Sequence, residues 1–396
     1  MQLTGLQKTK KKLIKGDDMS ELKAIGGKIL TKPFKILLVF AVIAIILILK
    51  RFIFGLGSVT NLNDGYPWGL WIVYDVVTGT AIACGGYAMA MLVYIFNKGQ
   101  YHPLVRSALL ASMFGYTLAG VSIFIDVGRY WQLYNIFLPG YANINSIMFE
   151  VAACVAAYVV VMWIEFSPAF FERPGKEKVL KRLNAVMFIF VALGVLLPTL
   201  HQSSLGSLMI IAGQKLSGLW QTGFLPLLFL ITAILMGYGM VVFESLFSSV
   251  GLKRPLETSM LSKLAGVISK LLVVFLVIRF GGLLWRGSFG LLLNFNIQSI
   301  MFIVENLFFI YPLFLLFSSE KRTQPKYLFL SAVFLVLAGS VYRFNVYLVG
   351  FSPGPGWQYF PAFSEIMITL GIVSMEIMAY LVFVKKLPVL PDLKHA

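Results

Sequence analysis

The segment ILLVFAVIAIILIL, residues 36–49, is an unbroken apolar run that ends at Lys50 and Arg51. With its neighbours it predicts a helix over about 34–54, which is long enough to cross the hydrocarbon core of a bilayer. The basic stretch before it leads into the run without a small-residue cleavage site. We therefore expect this segment to remain as a first transmembrane helix rather than to leave as a signal peptide.

Further apolar runs of similar length follow along the whole chain. They predict spans at about 67–96, 104–126, 144–166, 184–203, 224–247, 261–284, 297–317, 328–350 and 364–386. The composition agrees, because the 396 residues are 59% hydrophobic and 13% charged, with a mean hydropathy of +0.84. The predicted fold class is an all-α integral membrane protein with about ten transmembrane helices.

The formal net charge of +16 is best explained by membrane topology. The Lys and Arg residues lie between apolar runs and form no basic face, so we expect no nucleic-acid partner. An even number of spans puts both termini on one side. Of the 33 Lys and Arg residues, 25 fall on that side and 7 on the other, with Lys270 inside a span. The positive-inside rule then predicts that the N-terminus and the C-terminus are both cytoplasmic.

The cysteines and histidines argue against a bound metal or haem. Cys84 and Cys154 each lie within an apolar run, and no CxxC pair or Cys/His cluster is present, so no iron-sulfur cluster or zinc site is expected. A haem inside a membrane usually takes two facing histidines. The histidines are His102, His201 and His395, and none is central in an apolar run. We expect no haem in this chain.

A short repeat suggests that part of the chain is duplicated. Ser146-Ile-Met-Phe149 opens the fourth predicted helix and Ser299-Ile-Met-Phe302 opens the eighth. A carboxylate follows each copy, Glu150 in the first and Glu305 in the second. The repeat predicts a duplicated four-helix bundle.

Polar side chains from three predicted spans converge on the leaflet opposite the termini. Asp126 ends helix 3, His201 lies near the outer end of helix 5, and Trp68 opens helix 2. A quinone headgroup has two carbonyl oxygens that are protonated as electrons arrive, so its site needs an aromatic slot with a few proton donors. The candidate quinone-binding residues are Trp68, Trp71, Asp126, Arg129, Tyr130, His201, Gln202 and Ser203. In the alternative interpretation the aromatics form an interfacial belt, Asp126 pairs with Arg129, and His201 is a satisfied helix cap.

Four carboxylates lie deeper within the predicted spans. They are Asp75, Glu150, Glu305 and Glu376, at depths where an ionised group is costly unless it is paired or hydrated. These residues are candidates for a proton path across the bilayer. The alternative is that they pair with Lys270, Arg279 or helix-end groups and fix the packing.

Three longer motifs carry a family resemblance. They are YPWGLWIVYDVVTGTAIACGG from Tyr66, DVGRYW from Asp126 and LHQSSLGSLM from Leu200. In these motifs the chain resembles the NrfD/PsrC superfamily of quinone-reactive membrane subunits, and within it the membrane subunits of nickel-iron hydrogenase 2 complexes. The similarity covers almost the whole chain, from Gly26 to Pro391.

The resemblance implies partners, a substrate and two site residues. Hydrogenase large and small subunits and a ferredoxin-like iron-sulfur subunit would exchange electrons with menaquinone at the periplasmic end of the first bundle. The family's Asp-Leu-Gly-Arg motif places its aspartate at Asp126 and its arginine at Arg129. Polysulfide reductase members also use a histidine where this chain has Trp68 and its neighbours, which leaves His201 as the only histidine expected on that side. Such subunits are often labelled b-type cytochromes, a label that the histidines here do not support.

These expectations combine into one organisation for the chain. Residues 1–33 form a cytoplasmic basic segment, 34–386 the ten-helix membrane domain, and 387–396 a cytoplasmic tail. Two four-helix bundles, at about 67–203 and 224–350, are flanked by one helix at each end. The chain would lie in the bacterial inner membrane and pass electrons between an iron-sulfur partner and menaquinone. A secondary transporter, the membrane subunit of a related molybdopterin oxidoreductase, and a passive anchor are the alternatives.

Overall fold

The computed structural model describes residues 22–172, 176–251 and 258–391. The expectations for most of the basic N-terminal segment, for the end of the C-terminal tail and for loop charges such as Arg173 and Lys253 fall outside these residues. Within them, nearly every residue that is not in a short connection is helical. The chain is a multi-pass, all-α integral membrane protein, as the sequence predicts.

Ten helices in the described residues are long and apolar enough to span a membrane. They are α1 (Lys32–Phe54), α2 (Trp71–Ile95), α3 (His102–Asp126), α4 (Ile147–Phe166), α5 (Glu177–Ile211), α6 (Leu225–Gly251), α7 (Thr258–Trp285), α8 (Ile297–Phe317), α9 (Pro325–Phe344) and α10 (Phe363–Lys386). α9 continues as a π-helix, Asn345–Val349. Most ends fall within a few residues of the predicted spans, but α5 is longer than its prediction at both ends.

Alternate helix ends define two faces of the membrane domain. α3 carries Arg106 near its start and ends at Asp126. We call the face at its start the Arg106 face and the face at its end the Asp126 face. Because the ten helices run alternately up and down, both described chain ends lie on the Arg106 face.

The two chain ends are joined on the Arg106 face. β1 (Leu22–Lys23) pairs antiparallel with β2 (Leu390–Pro391). Nearby, the Arg106 guanidinium donates two hydrogen bonds, of 2.6 and 2.7 Å, to the Glu172 carboxylate and a third, of 2.9 Å, to the Pro388 carbonyl. These contacts bind the start of α3, the end of α4 and the C-terminal segment together.

The helices pack as two groups of four with one flanking helix at each end. α2 to α5 contact one another as the first bundle, and α6 to α9 form the second. The bundles meet where α6 packs on α2 and α5, and where α9 packs on α2. α1 packs mainly on α10, which itself packs on α3. At that α1–α10 contact Gly371 leaves room for Ala44, since a Cβ at position 371 would lie 2.1 Å from the Ala44 Cβ.

The internal repeat is longer than the motif first suggested, yet its carboxylates are not equivalent. Residues 143–149 read NINSIMF and residues 296–302 read NIQSIMF, so six of seven positions agree. Glu150 follows its copy by one residue and Glu305 follows by three. Two residues turn a helix by about 200°. Accordingly Glu305 is 0% exposed, whereas Glu150 is partly exposed on α4.

Candidate functional site

The charged neighbour of Asp126 comes from α1. Arg51, which is 1% exposed, donates from Nε to the Ile125 carbonyl and from Nη2 to the Val127 carbonyl, both at 2.5 Å. These carbonyls flank Asp126, so the guanidinium holds the end of α3 at that residue. The Arg129 side chain is exposed, and the described residues contain no ion pair between it and Asp126. The alternative interpretation in which Asp126 pairs with Arg129 is therefore wrong.

A row of carboxylates leads from Asp126 into the membrane domain. Asp75 on α2 is 6% exposed and accepts a hydrogen bond of 3.2 Å from the Ser122 hydroxyl. Asp126 and Glu376 both lie close enough to Asp75 to interact with it electrostatically. Asp126 Oδ1 is buried and has no hydrogen-bond partner among the described residues. Of the predicted proton-path residues, Asp75 thus lies near Asp126, and Glu376 lies near Asp75.

A cavity of about 730 Å³ opens on the Asp126 face between the α1–α2 and α9–α10 connections. Its lining is aromatic and amide-bearing, and consists of Asn61, Leu62, Tyr66, Gln358, Tyr359 and Phe360. The Tyr66 and Tyr359 ring centroids are 5.8 Å apart. Partial burial raises the pKa of Tyr66 above its ordinary value. The cavity has the size of a small-molecule site, and its walls combine aromatic rings with polar side chains.

The Tyr359 side chain of this cavity is bound to a buried carboxylate. Its hydroxyl donates to Glu365 Oε1 at 2.6 Å and accepts from the Leu70 amide at 2.7 Å. Glu365 is 1% exposed, and its Oε2 accepts from the Asn61 amide at 3.0 Å. The Trp71 indole donates to the Glu365 carbonyl at 3.2 Å. Burial, and then the bond to Glu365, raise the pKa of Tyr359 far above its usual range, so this hydroxyl keeps its proton at neutral pH.

Of the predicted aromatic residues, Trp68 and Trp71 lie beside this cavity. The Trp68 ring packs 5.0 Å from Phe351, and its indole donates to the Tyr347 carbonyl at 2.9 Å. Phe351 in turn contacts the ring of Tyr66, at 5.8 Å. The third predicted aromatic residue, Tyr130, lies instead beside Arg51.

His201 does not lie with Asp126. α5 continues for ten residues beyond His201, to Ile211, which puts the histidine about 15 Å from that helix end. The predicted position of His201 near the end of helix 5 is therefore wrong. Its Nε2 lies 2.7 Å from the Tyr116 hydroxyl, and Tyr116 precedes Asp126 on α3 by ten residues, again about 15 Å.

A fully buried polar cluster, the Tyr116 cluster, surrounds this pair. Its members are Tyr116, His201, Gln202, Thr80 and Cys84. Gln202 donates to the Thr80 hydroxyl at 3.0 Å, and the Cys84 sulfur lies 3.4 Å from the Tyr116 hydroxyl. The Ser203 hydroxyl instead donates to carbonyls of its own helix. The predicted quinone-binding set is thus divided between the Asp126 face and the interior of the first bundle.

Glu305 lies in the second bundle with both oxygens occupied. Arg279 donates to Oε1 at 2.9 Å, while Trp220 and Asn345 each donate to Oε2 at 2.8 Å. Glu150 has no side-chain hydrogen bond or ion pair among the described residues. Neither carboxylate adjoins the row that begins at Asp126.

Several residues of this region were not predicted from the sequence. Arg51 had been counted only as a charge that marks topology, although its place at the end of a span could have suggested an interaction with a neighbouring helix end. Glu365 stands in the first turn of α10, where a carboxylate satisfies free amide groups. Tyr359 and Asn61 carry no comparable sequence pattern, because about three hundred residues separate them.

Comparison with known proteins identifies the family. The profile described as "Polysulphide reductase, NrfD" matches residues 58–352. The chain belongs to the NrfD family. It is 50% identical, over 94% of its length and 95% of the relative's, to the probable Ni/Fe-hydrogenase 2 b-type cytochrome subunit of Escherichia coli K12. It is 30% identical, over 39% of its own length and 37% of the relative's, to the menaquinone reductase integral membrane subunit of Nitratidesulfovibrio vulgaris. A third relative is the Hdr-like menaquinol oxidoreductase integral membrane subunit of Archaeoglobus fulgidus. The two chains are 23% identical over 85% of this chain and 88% of the relative.

Because one of these NrfD-family relatives is called a b-type cytochrome, the histidines must be tested as haem ligands. His102 begins α3, and Tyr116, the partner of His201, lies fourteen residues further along the same helix, about 21 Å away. Two axial ligands of one iron must lie on opposite sides of the same macrocycle. His102 and His201 do not fit that arrangement, and His395 falls outside the described residues.

Proposed function

We propose that this NrfD-family chain is the quinone-reactive membrane subunit of a respiratory nickel-iron hydrogenase complex in the bacterial inner membrane. Its relatives support this assignment, since their names include a hydrogenase subunit and two menaquinone or menaquinol enzymes. The excess of Lys and Arg on the side of the termini supports a cytoplasmic Arg106 face and a periplasmic Asp126 face. The proposed partners on the Asp126 face are a ferredoxin-like iron-sulfur subunit and the hydrogenase small and large subunits.

The observation that carries the proposal is that Tyr359, which lines a cavity on the Asp126 face, donates a hydrogen bond to the buried Glu365 carboxylate. Menaquinone accepts two electrons from the partner's iron-sulfur cluster and two protons, and each of its carbonyl oxygens becomes a hydroxyl. When the quinone binds, the Tyr359 hydroxyl turns from Glu365 to one carbonyl oxygen and transfers its proton there, and water supplies the proton for the other oxygen. Glu365, after taking up a proton through the neighbouring carboxylate Asp126, returns one to the tyrosinate. Trp68 and Tyr66 pack along the ring.

Asp126, Asp75 and Glu376 connect this cavity to the membrane interior. Asp126 interacts electrostatically with Glu365 on one side and with Asp75 on the other. Glu376 lies thirteen residues into α10, about 20 Å from its start. A proton passed along this row crosses well over half of the hydrocarbon core. We propose that quinone chemistry is coupled to proton movement along these carboxylates, and that the His201–Tyr116 pair holds a further proton inside the first bundle.

The test compares Tyr359→Phe and Glu365→Gln with two matched controls in the purified complex. Tyr311→Phe changes a tyrosine that is 38% exposed on α8, and Glu320→Gln changes an exposed carboxylate on the Arg106 face. Loss of a general acid typically lowers a rate by about 100-fold or more. We expect that loss in hydrogen-dependent menaquinone reduction for both site variants, with hydrogen-dependent reduction of a soluble dye unchanged. Wild-type quinone reduction in both site variants would exclude this cavity.

The partner assignment has its own test. Affinity purification of the full chain from its native membrane should recover hydrogenase large and small subunits with an iron-sulfur protein. Recovery of a molybdopterin enzyme would move the chain to a related complex, and a chain that transports a solute without partners would be a secondary transporter.

A further inference from the structure

α1 is a lipid-facing helix that buries one arginine. Most of its apolar side chains are exposed on the surface of the described chain, among them Ile36, Val39, Val42, Ile46, Leu49 and Ile53. Arg51 is 1% exposed, although a charged side chain at a span end can usually reach the aqueous interface. A buried arginine is costly at such a place unless it has partners or a role.

The Arg51 guanidinium is held by two hydrogen bonds and two aromatic rings. Its Nε and Nη2 bind the carbonyls before and after Asp126, namely those of Ile125 and Val127. Its central carbon lies 4.7 Å from the ring centroid of Phe52 and 5.1 Å from that of Tyr130. A single guanidinium that binds both neighbours of Asp126 determines where the Asp126 backbone lies.

Asp126 is the group on which this arrangement acts. The charged and titratable groups around it come from every element packed there, and are Arg51 from α1, Asp75 from α2, Glu365 from α10, and the loop residues Tyr130 and Tyr359. Of these, only Arg51 carries a positive charge. Asp126 Oδ1 is buried without a hydrogen-bond partner in the described part of the chain.

We propose that Arg51 is the positioning residue for Asp126, and that α1 therefore contributes to the function of the quinone site. This inference rests on the proposed function, in which Asp126 exchanges protons with the quinone cavity. Arg51 holds the Asp126 backbone in place and supplies the one positive charge that favours its ionised form against two neighbouring carboxylates. The NrfD profile matches residues 58–352, and Arg51 precedes the matched segment.

A purely structural role for Arg51 makes a different prediction. A cation near the C-terminal carbonyls of α3 also stabilises that helix end. If this were its whole role, loss of Arg51 would reduce assembly but would not change how the assembled complex responds to pH.

The experiment follows menaquinol oxidation by the whole complex in proteoliposomes, with a membrane-impermeant soluble oxidant that takes electrons from the partner subunits. Asp126 must be ionised to accept a proton from menaquinol. The oxidation rate therefore falls as the pH is lowered and Asp126 becomes protonated. Arg51→Gln removes the charge, whereas Arg51→Lys keeps the charge but cannot bridge both carbonyls. Lys50→Gln is the matched control, since it removes an exposed charge one residue away.

We expect Arg51→Gln to move the acid limb of the pH profile upward by about one unit or more, because an opposite charge beside a carboxylate has an effect of that size. Arg51→Lys should keep the acid limb and lower kcat, with the KM for menaquinol unchanged. An Arg51→Gln profile that superimposes on wild type, or an equal shift in Lys50→Gln, would overturn the proposal. If Arg51→Gln does not assemble, a wild-type kcat in Arg51→Lys overturns it. Asp126→Asn distinguishes failure of the Arg51 proposal from failure of the proposed quinone site, because a wild-type rate in that variant refutes the site itself.

Discussion

The Tyr116 hydroxyl and the His201 Nε2 atom lie 2.7 Å apart in the interior of the first bundle, and neither side chain is exposed. Asp126 lies ten residues further along α3 than Tyr116, about 15 Å away. One quinone headgroup in contact with Asp126 therefore does not also contact His201. We expect the two residues to act at different steps, Asp126 beside the quinone and His201 on protons within the bundle.

Asp126→Asn and His201→Ala should both impair hydrogen-dependent menaquinone reduction, by about 100-fold if each takes part in proton transfer. Reduction of a soluble dye, which takes electrons before the quinone site, should stay at the wild-type rate. Activity assays on equal amounts of assembled complex provide the measurement. Normal quinone reduction in both variants would show that neither residue belongs to the pathway.

The purified chain should show no haem Soret band. His102 and His201 lie too far apart along the first bundle to hold one iron, as their positions relative to α3 establish. The measurement is an absorbance spectrum of the reduced and oxidised chain, with protein and haem quantified. A stoichiometric b-type spectrum would contradict this prediction.

Asp75→Asn and Glu376→Gln should uncouple quinone chemistry from proton movement. Each change keeps a similar volume and hydrogen-bonding capacity but removes a group that can release a proton. In sealed vesicles under a proton-motive force, hydrogen evolution from menaquinol should respond to an uncoupler in wild type and much less in the two variants. Glu150→Gln, outside the row, tests the original sequence prediction in the same assay. If the uncoupler has no effect on wild type beyond the scalar protons of quinone chemistry, the chain does not translocate protons.

Glu305→Gln should reduce stability rather than coupling. The change leaves the buried Arg279 guanidinium without its counter-charge, and breaking a buried pair costs about 3–5 kcal/mol. Thermal unfolding in detergent should show a lower Tm, and Arg279→Gln combined with Glu305→Gln should recover part of it. A variant with the wild-type Tm and lost coupling would identify Glu305 as a proton carrier, as the sequence first suggested.

Gly371→Val should separate α1 from α10. A Cβ at that position would lie 2.1 Å from the Ala44 Cβ and 2.8 Å from the Phe40 carbonyl, so the helices must move apart at a cost of about 1–3 kcal/mol. Gly281→Val is the control, since nothing lies within 4 Å of a Cβ there. We expect a lower Tm and weaker quinone reduction only for position 371. Equal effects of both changes would show that the loss reflects glycine replacement in a helix and not this contact.

The spans could be predicted from the sequence because a bilayer requires a fixed length of apolar residues. The end of α5 was predicted too early since His201 and the polar residues after it lower the local hydropathy, although His201, Gln202 and Ser204 are buried inside the first bundle. The site was harder to predict. The alternative interpretation paired Asp126 with Arg129 because they are near in sequence, whereas the charged neighbour, Arg51, comes from a helix that precedes the bundle. The cavity likewise brings Tyr66 and Tyr359 together. Residues so far apart in sequence cannot be paired from the local periodicity of the chain.

The pairing of α1 with α10 has a consequence for biosynthesis. Translation delivers α1 to the membrane before α10, so α1 lies in lipid without this partner while the eight helices between them are inserted. Its mean hydropathy, the highest of the ten spans, suits a helix that has to persist alone. Arg51 can reach α3 early, but the Ala44–Gly371 contact and the β1–β2 pair form only after α10 and β2 have been synthesised. A nascent chain truncated before α10 would therefore leave the insertion machinery with α1 unpaired, a state that quality-control proteases can recognise.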